Sequence, residues 1–531
     1  AGAGSSLVLE RSTVANNHQG LEVDQGGSAQ LRDNVISGNG TLADPAISVT
    51  AGQLTMSGNT LSDNGLGVVA ASGAVVQLIG NGFTGSRSSA VLALAGATGT
   101  LRQNRIEDSA TADFRSPAVA ARDGATLQLA HNVIASNSLG VSASGAGTTV
   151  SLEGDEVRGH PWFGVEALAQ ALVSLDNVQL VENGRRPLSA GAGLLVVEGA
   201  TAQVRSGSLR GNALGVLVEG AGSRADLENV LVTNSAGDGL LVLGAQATLQ
   251  GATVQGNSGA GLRIGAGGQV TVTSTSIIGN ASGVALAGSG SQMTLIASQV
   301  AGNAGPGIVL DSGAAAQLQQ VTVGSNGQPG LVVRPGGAVL LVDSVVADNR
   351  QPVESAGTLV ALNSTVDGQQ PPLVQVPPQA PVVVLAPVTT AQVRDEQGQL
   401  IAQVQFFIFQ HTPFGTGRAA LLQGEINGLW IDGLSAEAIA ELFPGQTAQL
   451  GSIGLVQAYP KVVSQTLRAP GVAVNLVLTD FPPGELALAS GPALAAVAVP
   501  KRVRLTINGA RLAAQAELRL VQLGPVRELG R

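Results

Sequence analysis

Three short clusters hold most of the side chains that could act on a polar ligand. His160-Pro161-Trp162-Phe163 sets the sole tryptophan of the first 370 residues beside a second aromatic ring, Arg185-Arg186 follows it, and Asp113-Phe114-Arg115 precedes it. Aromatic rings stack on the apolar face of a sugar, and guanidinium groups pair with carboxylates or sulfates. Phe114, Arg115, His160, Trp162, Phe163, Arg185 and Arg186 are therefore candidate ligand contacts. The competing reading is that the rings fold back over an apolar patch and the arginines are simply solvated. The exposure of Trp162 discriminates between the two.

Catalysis would demand more. Glycoside hydrolysis needs two carboxyl groups roughly 5–10 Å apart, and β-elimination needs a base beside acidic or metal groups. Asp33, Asp63, Asp108, Asp155 and Asp176 fall in different phases or non-adjacent units of the repeat described below, and the first 370 residues contain no lysine to act as a base. Arg185 or Arg186 with Asp113 comes nearest to a catalytic set. His18, His131, His160 and His411 are widely separated and no Gly-Gly-x-Gly-x-Asp calcium repeat is present, so no metal or other cofactor is expected. The glycine clusters Gly191-Ala-Gly193 and Gly265-Ala-Gly-Gly268 are not followed by a helix pattern and are discounted as phosphate loops.

A repeat must position these residues. An apolar residue followed three places later by a polar one recurs fifteen times, with corners at Asn17, Asn39, Asn64, Ser86, Ser109, Asn137, His160, Asn183, Asn212, Asn234, Asn257, Asn280, Asn303, Asn326 and Asn349. From Asn212 onward the steps are 22, 23, 23, 23, 23 and 23 residues, which calls for one structural unit per period. A second apolar residue lies eight places before most corners, as in Leu9, Leu31, Met56 and Leu78. Glycine, apolar, any, apolar follows the corner, as in Gly20-Leu21-Glu22-Val23 and Gly261-Leu262-Arg263-Ile264. Such alternation turns one face inward. Each unit thus predicts three short strands that bury little alone but stack into parallel sheets around one apolar column.

The asparagines predict a ladder, because an amide carries both donors and an acceptor and can bond its copies above and below. Mere tolerance of a left-handed turn explains single corners but not twelve in phase. His160 stands where the ladder has Asn, which reads as a corner substitute rather than a metal ligand. The corner-to-corner step lengthens to 25, 28 and 29 residues at three places, with insertions at Thr41–Pro45, Ala110–Pro117 and Gly184–Ala190. All three follow the corner and should project from one edge, where solenoids commonly carry function.

The V/I/L-x-x-N corners and G-[LIV]-x-[LVI] units resemble those of right-handed parallel β-helix repeat proteins, the pectin-lyase-like superfamily and its bacterial surface members. The resemblance covers residues 1–370 of 531. It implies an all-β chain with a right-handed parallel β-helix of about 15–16 coils, and an extracellular or cell-surface location in a bacterium. It leaves activity open, since the architecture hosts lyases, hydrolases, epimerases, tailspikes and adhesins.

Composition narrows the partners. The net charge is −9, and both lysines, Lys461 and Lys501, lie outside the repeat, so the chain lacks the basic footprint of a nucleic-acid binder. Without cysteine there is no disulfide framework and no thiolate chemistry. No apolar run approaches the roughly 18–20 residues of a transmembrane helix. The bare first strand near Leu7–Leu9 raises the expectation of a removed leader or preceding domain.

After Val366 the register fades, and a Pro-rich linker is expected over residues 371–390. A β-rich, sandwich-like C-terminal domain, with room for two subdomains, is expected over 391–531. Its opening, Ala391 to Phe406, reads as a hairpin around a Gly turn and weakly resembles bacterial Ig-like domains. Ser435–Phe443 reads as a short capped helix, and Val472–Thr479 and Arg502–Ile507 as strands.

The leading functional expectation is a secreted or cell-surface structural or adhesive rod that binds a polysaccharide or surface glycan along its loop edge. The alternative is a polysaccharide lyase, hydrolase or epimerase acting around residues 110–190. Homo-oligomerisation through the sides or ends of the rod is a third expectation.

Overall fold

A computed structural model describes residues 2–41, 44–109, 116–185, 191–311, 313–362 and 364–368, together with the strands Val374–Gln375, Val383–Val384, Thr389–Arg394, Leu400–Gln410, Ile426–Asp432, Val462–Ala469, Val472–Thr479, Arg502–Ile507 and Ala510–Glu517. The fold is all-β, a right-handed parallel β-helix of about fifteen turns, with no helix among the described residues. The chain forms two compact units. The first comprises Ala1–Val309, Thr322–Gly330 and Asn349–Gln351, and the second Leu310–Val321, Leu331–Asp348 and Pro352–Arg531.

In the first unit each coil adds one strand to each of three parallel sheets, called A, B and C here. One coil supplies Gln246–Gln250 to sheet A, Thr253–Gln255 to B and Ala260–Gly265 to C. Strands this short hold together because equivalent residues stack in register. Leu227, Leu249, Val272 and Leu295 form an inward column in sheet A. Val232, Val254, Ile277 and Val300 do so in sheet B. All are buried, and each such side chain contributes about 1.5–3 kcal/mol relative to exposure.

The corners between sheets B and C are built by two residues in succession. The first adopts a left-handed backbone, as at Asp63, Asp108, Ser136, Glu182 and Gly256. The second is polar and buried, as at Asn64, Ser109, Asn137, Asn183 and Asn257. This division corrects one expected rung. Asn234 has φ of 57° and occupies the left-handed place, while Ser235 is the buried residue, its N–H donating to Asn257 Oδ1 at 2.9 Å. Asparagine suits both places, because its short polar side chain tolerates the left-handed region. The steps around this corner are therefore 23 and 22.

The asparagines do form a ladder. Asn257 donates from N and Nδ2 to Asn280 Oδ1 at 3.0 and 2.8 Å, and from Nδ2 to Val232 O in the coil below. Asn280, Asn303 and Asn326 repeat these contacts up to Asn349. The ladder also sets the glycine that opens each sheet C strand. A Cβ on Gly261 would stand 2.7 Å from Asn280 Nδ2 and 2.9 Å from Gly283 O.

A second ladder, unforeseen above, runs along the corner between sheets A and B. Asn34, Asn59, Asn81, Asn104 and Asn132 each pass Nδ2 to the next Oδ1, and the series ends on Asp155. The next position is Val178, which offers no acceptor, so an acceptor-only carboxylate suits the last rung.

In the second unit Ala315–Gln319, Ala338–Val342 and Thr358–Leu362 are parallel neighbours in register, and Val374–Gln375 pairs antiparallel with the last of them. Thr389–Arg394 and Leu400–Gln410 make the expected hairpin. Val472–Thr479 and Arg502–Ile507 pair antiparallel. The expected helix at Ser435–Phe443 and most of the expected linker lie outside the described residues.

Candidate functional site

The outward face of sheet C carries the candidate site. Its outward column follows from strand alternation, and its members from Ala120 to Leu217 are buried while Arg263 is exposed. Ala120, Ser142, Glu166, Leu195, Leu217, Leu241 and Arg263 stand one above another at successive coils. In the sequence, the insertions at 110–117 and 184–190 fall between a corner and the following strand of this sheet.

Phe163 opens the sheet C strand of the coil that holds His160, and Trp162 immediately precedes it. Phe163 is 4% exposed and packs with Leu139, Ala192, Leu195 and Leu217, against which Trp162 lies half-buried. One flank of the indole is thus committed to the protein. Arg185, one coil on, is exposed and donates from Nε to Gly211 O at 2.8 Å, which ties the side chain to the following corner. Arg186, Asp113, Phe114 and Arg115 lie outside the described residues.

His160 cannot meet a ligand, since it is fully buried as a rung of the ladder. Its Nδ1 accepts from Asn137 N at 3.2 Å, and its Nε2 lies 3.1 Å from Ile134 O. Nδ1 also lies 3.1 Å from Asn137 O, so backbone groups of two lower-coil residues surround the ring. Burial lowers its pKa to about 4, helped by the charge of Arg158 and opposed by hydrogen bonds to the Asn137 and Ile134 backbone. Phe163 is likewise core rather than contact.

Two carboxylates on or beside this face escaped sequence reasoning. Glu166 is 8% exposed and accepts from Ser142 Oγ at 2.7 Å. Its position was legible: in Gly164-Val165-Glu166-Ala167 it fills the free place between two inward residues. Asp238 accepts from Arg263 Nε at 2.6 Å and Nη2 at 3.1 Å, and from Ala260 N at 2.7 Å. This fork-shaped pair raises the Arg263 pKa, chiefly through the Asp238 hydrogen bond. On the opposite corner, burial pushes the Asp155 carboxyl up despite its hydrogen bonds from Asn132 and Glu153. Among the described residues no cluster of His, Asp and Glu could hold a metal ion. Nor is any helix among them long and apolar enough to cross a membrane.

Residues 1–208 and 214–369 match the model of the right-handed β-helix region family, and the chain belongs to that family. No curated protein matches the sequence. Among solved structures, similarity extends to the cryo-EM structure of the Vag8–C1 inhibitor complex, at 16% identity and TM-score 0.44 over 68% of this chain and 100% of that one. The A-module of the Azotobacter vinelandii mannuronan C-5 epimerase AlgE6 is similar at 14% identity and TM-score 0.34, over 67% of this chain and 91% of that one. A double mutant of the tailspike protein of E. coli bacteriophage HK620 is similar at 14% identity and TM-score 0.33, over 74% and 79%.

Proposed function

We propose that this chain is a secreted or cell-surface structural and adhesive rod of a bacterium, and that it holds glycans along the edge of sheet C where the coils lengthen. The observation that carries this reading is the half-buried Trp162, packed against the cluster that holds Phe163, Leu195 and Leu217, with the exposed Arg185 one coil on. A ring held on one flank by core packing is a pre-organised platform for a sugar, and binding orders little that is not already ordered. A stack of registered coils keeps that platform at fixed distance from its neighbours. Arg186, Phe114 and Arg115 are further contacts in this reading, and self-association through sides or ends is compatible with it.

A glycan array probed with the full chain tests the reading. Retention of at least one glycan, lost in Trp162→Ala, supports it; an array with no retained glycan overturns it. Light scattering over a concentration series tests self-association.

One observation favours a second reading, a polysaccharide lyase, hydrolase or epimerase. Glu166 is a buried carboxylate on the outward column of sheet C, within the stretch 110–190. Product formation from a polysaccharide panel, abolished in Glu166→Gln, would establish it in place of the first.

A further inference from the structure

The first insertion, Thr41–Pro45, takes no part in the glycan reading, yet it holds the one Asp-Pro peptide bond of the chain, between Asp44 and Pro45. The nitrogen of that bond belongs to a tertiary amide and leaves as a secondary amine once it is protonated. The aspartate side chain has the length to close a five-membered ring on its own carbonyl carbon. Carboxylates act as nucleophiles in this way where a proton donor serves the leaving group.

The fold holds the bond in a defined setting. Thr41 N donates to the Asp44 carbonyl oxygen at 3.0 Å, the atom on which negative charge would develop. Thr41 Oγ1 donates to Asp44 Oδ2 at 2.7 Å and accepts from Asp44 N at 3.1 Å. His18, from the coil below, brings Nε2 to 3.4 Å from the same carboxylate oxygen. Gly40 N donates to Asn17 O at 2.9 Å, which sets one corner over the other and so places His18 beneath the insertion. The His18 and Asp44 side chains are 79% and 39% exposed, so water reaches both. Glu22 and Asp24, the charged side chains of the strand below, stand opposite Ser48 and Thr50, further along the chain.

We propose that the chain cuts itself between Asp44 and Pro45. A carboxylate oxygen of Asp44 bonds to the Asp44 carbonyl carbon while the His18 imidazolium gives its proton to the Pro45 nitrogen. The carbon–nitrogen bond breaks, Pro45 leaves as a secondary amine, and residue 44 becomes a cyclic anhydride. Water then opens the anhydride to two carboxylates and releases two protons. One restores the imidazolium and the other charges the new amino terminus, so a single water is consumed. Ring closure within one residue supplies the proximity, and His18 supplies the proton donor that a solvated Asp-Pro bond lacks.

The pieces stay together after the cut. Leu21–Asp24, Ser28–Arg32 and Val35–Ser37 remain paired with strands of the following coil, and Asn34 and Asn39 still bond Asn59 and Asn64. The product is a nicked rod whose fragments part only on unfolding.

The test incubates the purified full chain at about pH 5, where carboxylates are ionised and imidazoles protonated, and follows denaturing gels and intact mass. Fragments 1–44 and 45–531 are expected, the second opening with Pro45-Ala46-Ile47, at a first-order rate independent of protein concentration. His18→Gln should slow the cut at least tenfold and Asp44→Ala should abolish it; neither side chain is buried, so both variants fold. In denaturing urea at the same pH, the bond keeps its intrinsic lability but loses His18, and cleavage should again be at least tenfold slower. Absence of the 45–531 fragment, cleavage as fast in urea as in the fold, cleavage untouched by His18→Gln, or a rate that rises with protein concentration would overturn the proposal.

Discussion

The ladder between sheets B and C is interrupted at Ser235, and the defect can be repaired. Asn212 donates from Nδ2 to Leu180 O, but the rung above it is a serine whose buried Oγ has no partner. An asparagine at 235 would offer Oδ1 to Asn212 N and Nδ2, as Asn212 does for Asn183 at 2.9 and 3.1 Å. Its Nδ2 would reach Leu209 O below and Asn257 Oδ1 above. Room exists because Gly215 lies beneath this rung as Gly193 lies beneath Asn212. Four hydrogen bonds at about 1 kcal/mol net, less about 1 kcal/mol for fixing the longer side chain and an allowance for imperfect geometry, give Ser235→Asn a stabilisation of about 2–3 kcal/mol. For a cooperative unit of 150–250 residues this is a rise of about 4–12 °C in the unfolding midpoint. Thermal unfolding followed by circular dichroism at the β band measures it, with Ser235→Ala as the control that merely deletes the unpartnered hydroxyl. A gain in Ser235→Asn no larger than in Ser235→Ala would refute the hydrogen-bond account. The same argument extends to Ser86, whose Oγ is also buried without a partner.

Three other outcomes follow from the geometry. His160 titrates near 4 in the fold against 6.5 when unfolded, so between these values the unfolded chain binds a proton that the native one does not. Its contribution is complete above pH 6.5 and is lost as pH falls through 4, a drop on the order of 3 kcal/mol; His160→Asn should flatten the stability profile over that window, and an unchanged acid slope would remove His160 as its cause. Gly261→Ala should destabilise by about 1–3 kcal/mol, because its Cβ meets Asn280 Nδ2 and the Gly283 carbonyl, both of which are fixed; a neutral denaturation curve would disprove the close approach. In Trp430→Phe, where Trp162 is the remaining indole, emission should be blue-shifted yet partly quenched by acrylamide, and full quenching would contradict its packing on Phe163.

How far the sequence revealed the fold depends on which signals were unique. The inward columns and the sheet B to C ladder were legible because Val-x-x-Asn and Gly-Leu-x-Ile recur at nearly constant spacing. Asn234 misled because asparagine has two uses at a corner, as a rung and as a left-handed residue, and Thr233-Asn234-Ser235 offers polar side chains at both places. The Val232 position settles the matter: counted three places on from the inward valine, the rung falls on Ser235.

The second ladder lay in plain view, since Asn34, Asn59, Asn81, Asn104, Asn132 and Asp155 each stand five residues before a corner of the first. It was missed because it spans only part of the stack and yields to Val178 and Val230 further on, so periodicity taken over the whole chain dilutes it. The site shows the same limit in another form. Trp162 and Phe163 were conspicuous as rare residue types, yet rarity does not say which flank of a ring is buried. Glu166 is of a common type and was passed over, though alternation alone places it outward on sheet C. For a stacked fold, the register position of a polar residue is thus a better guide to its use than its chemistry. Asp155 makes the point most sharply, because the same carboxylate that looked out of phase as a catalyst is in phase as the last acceptor of a ladder.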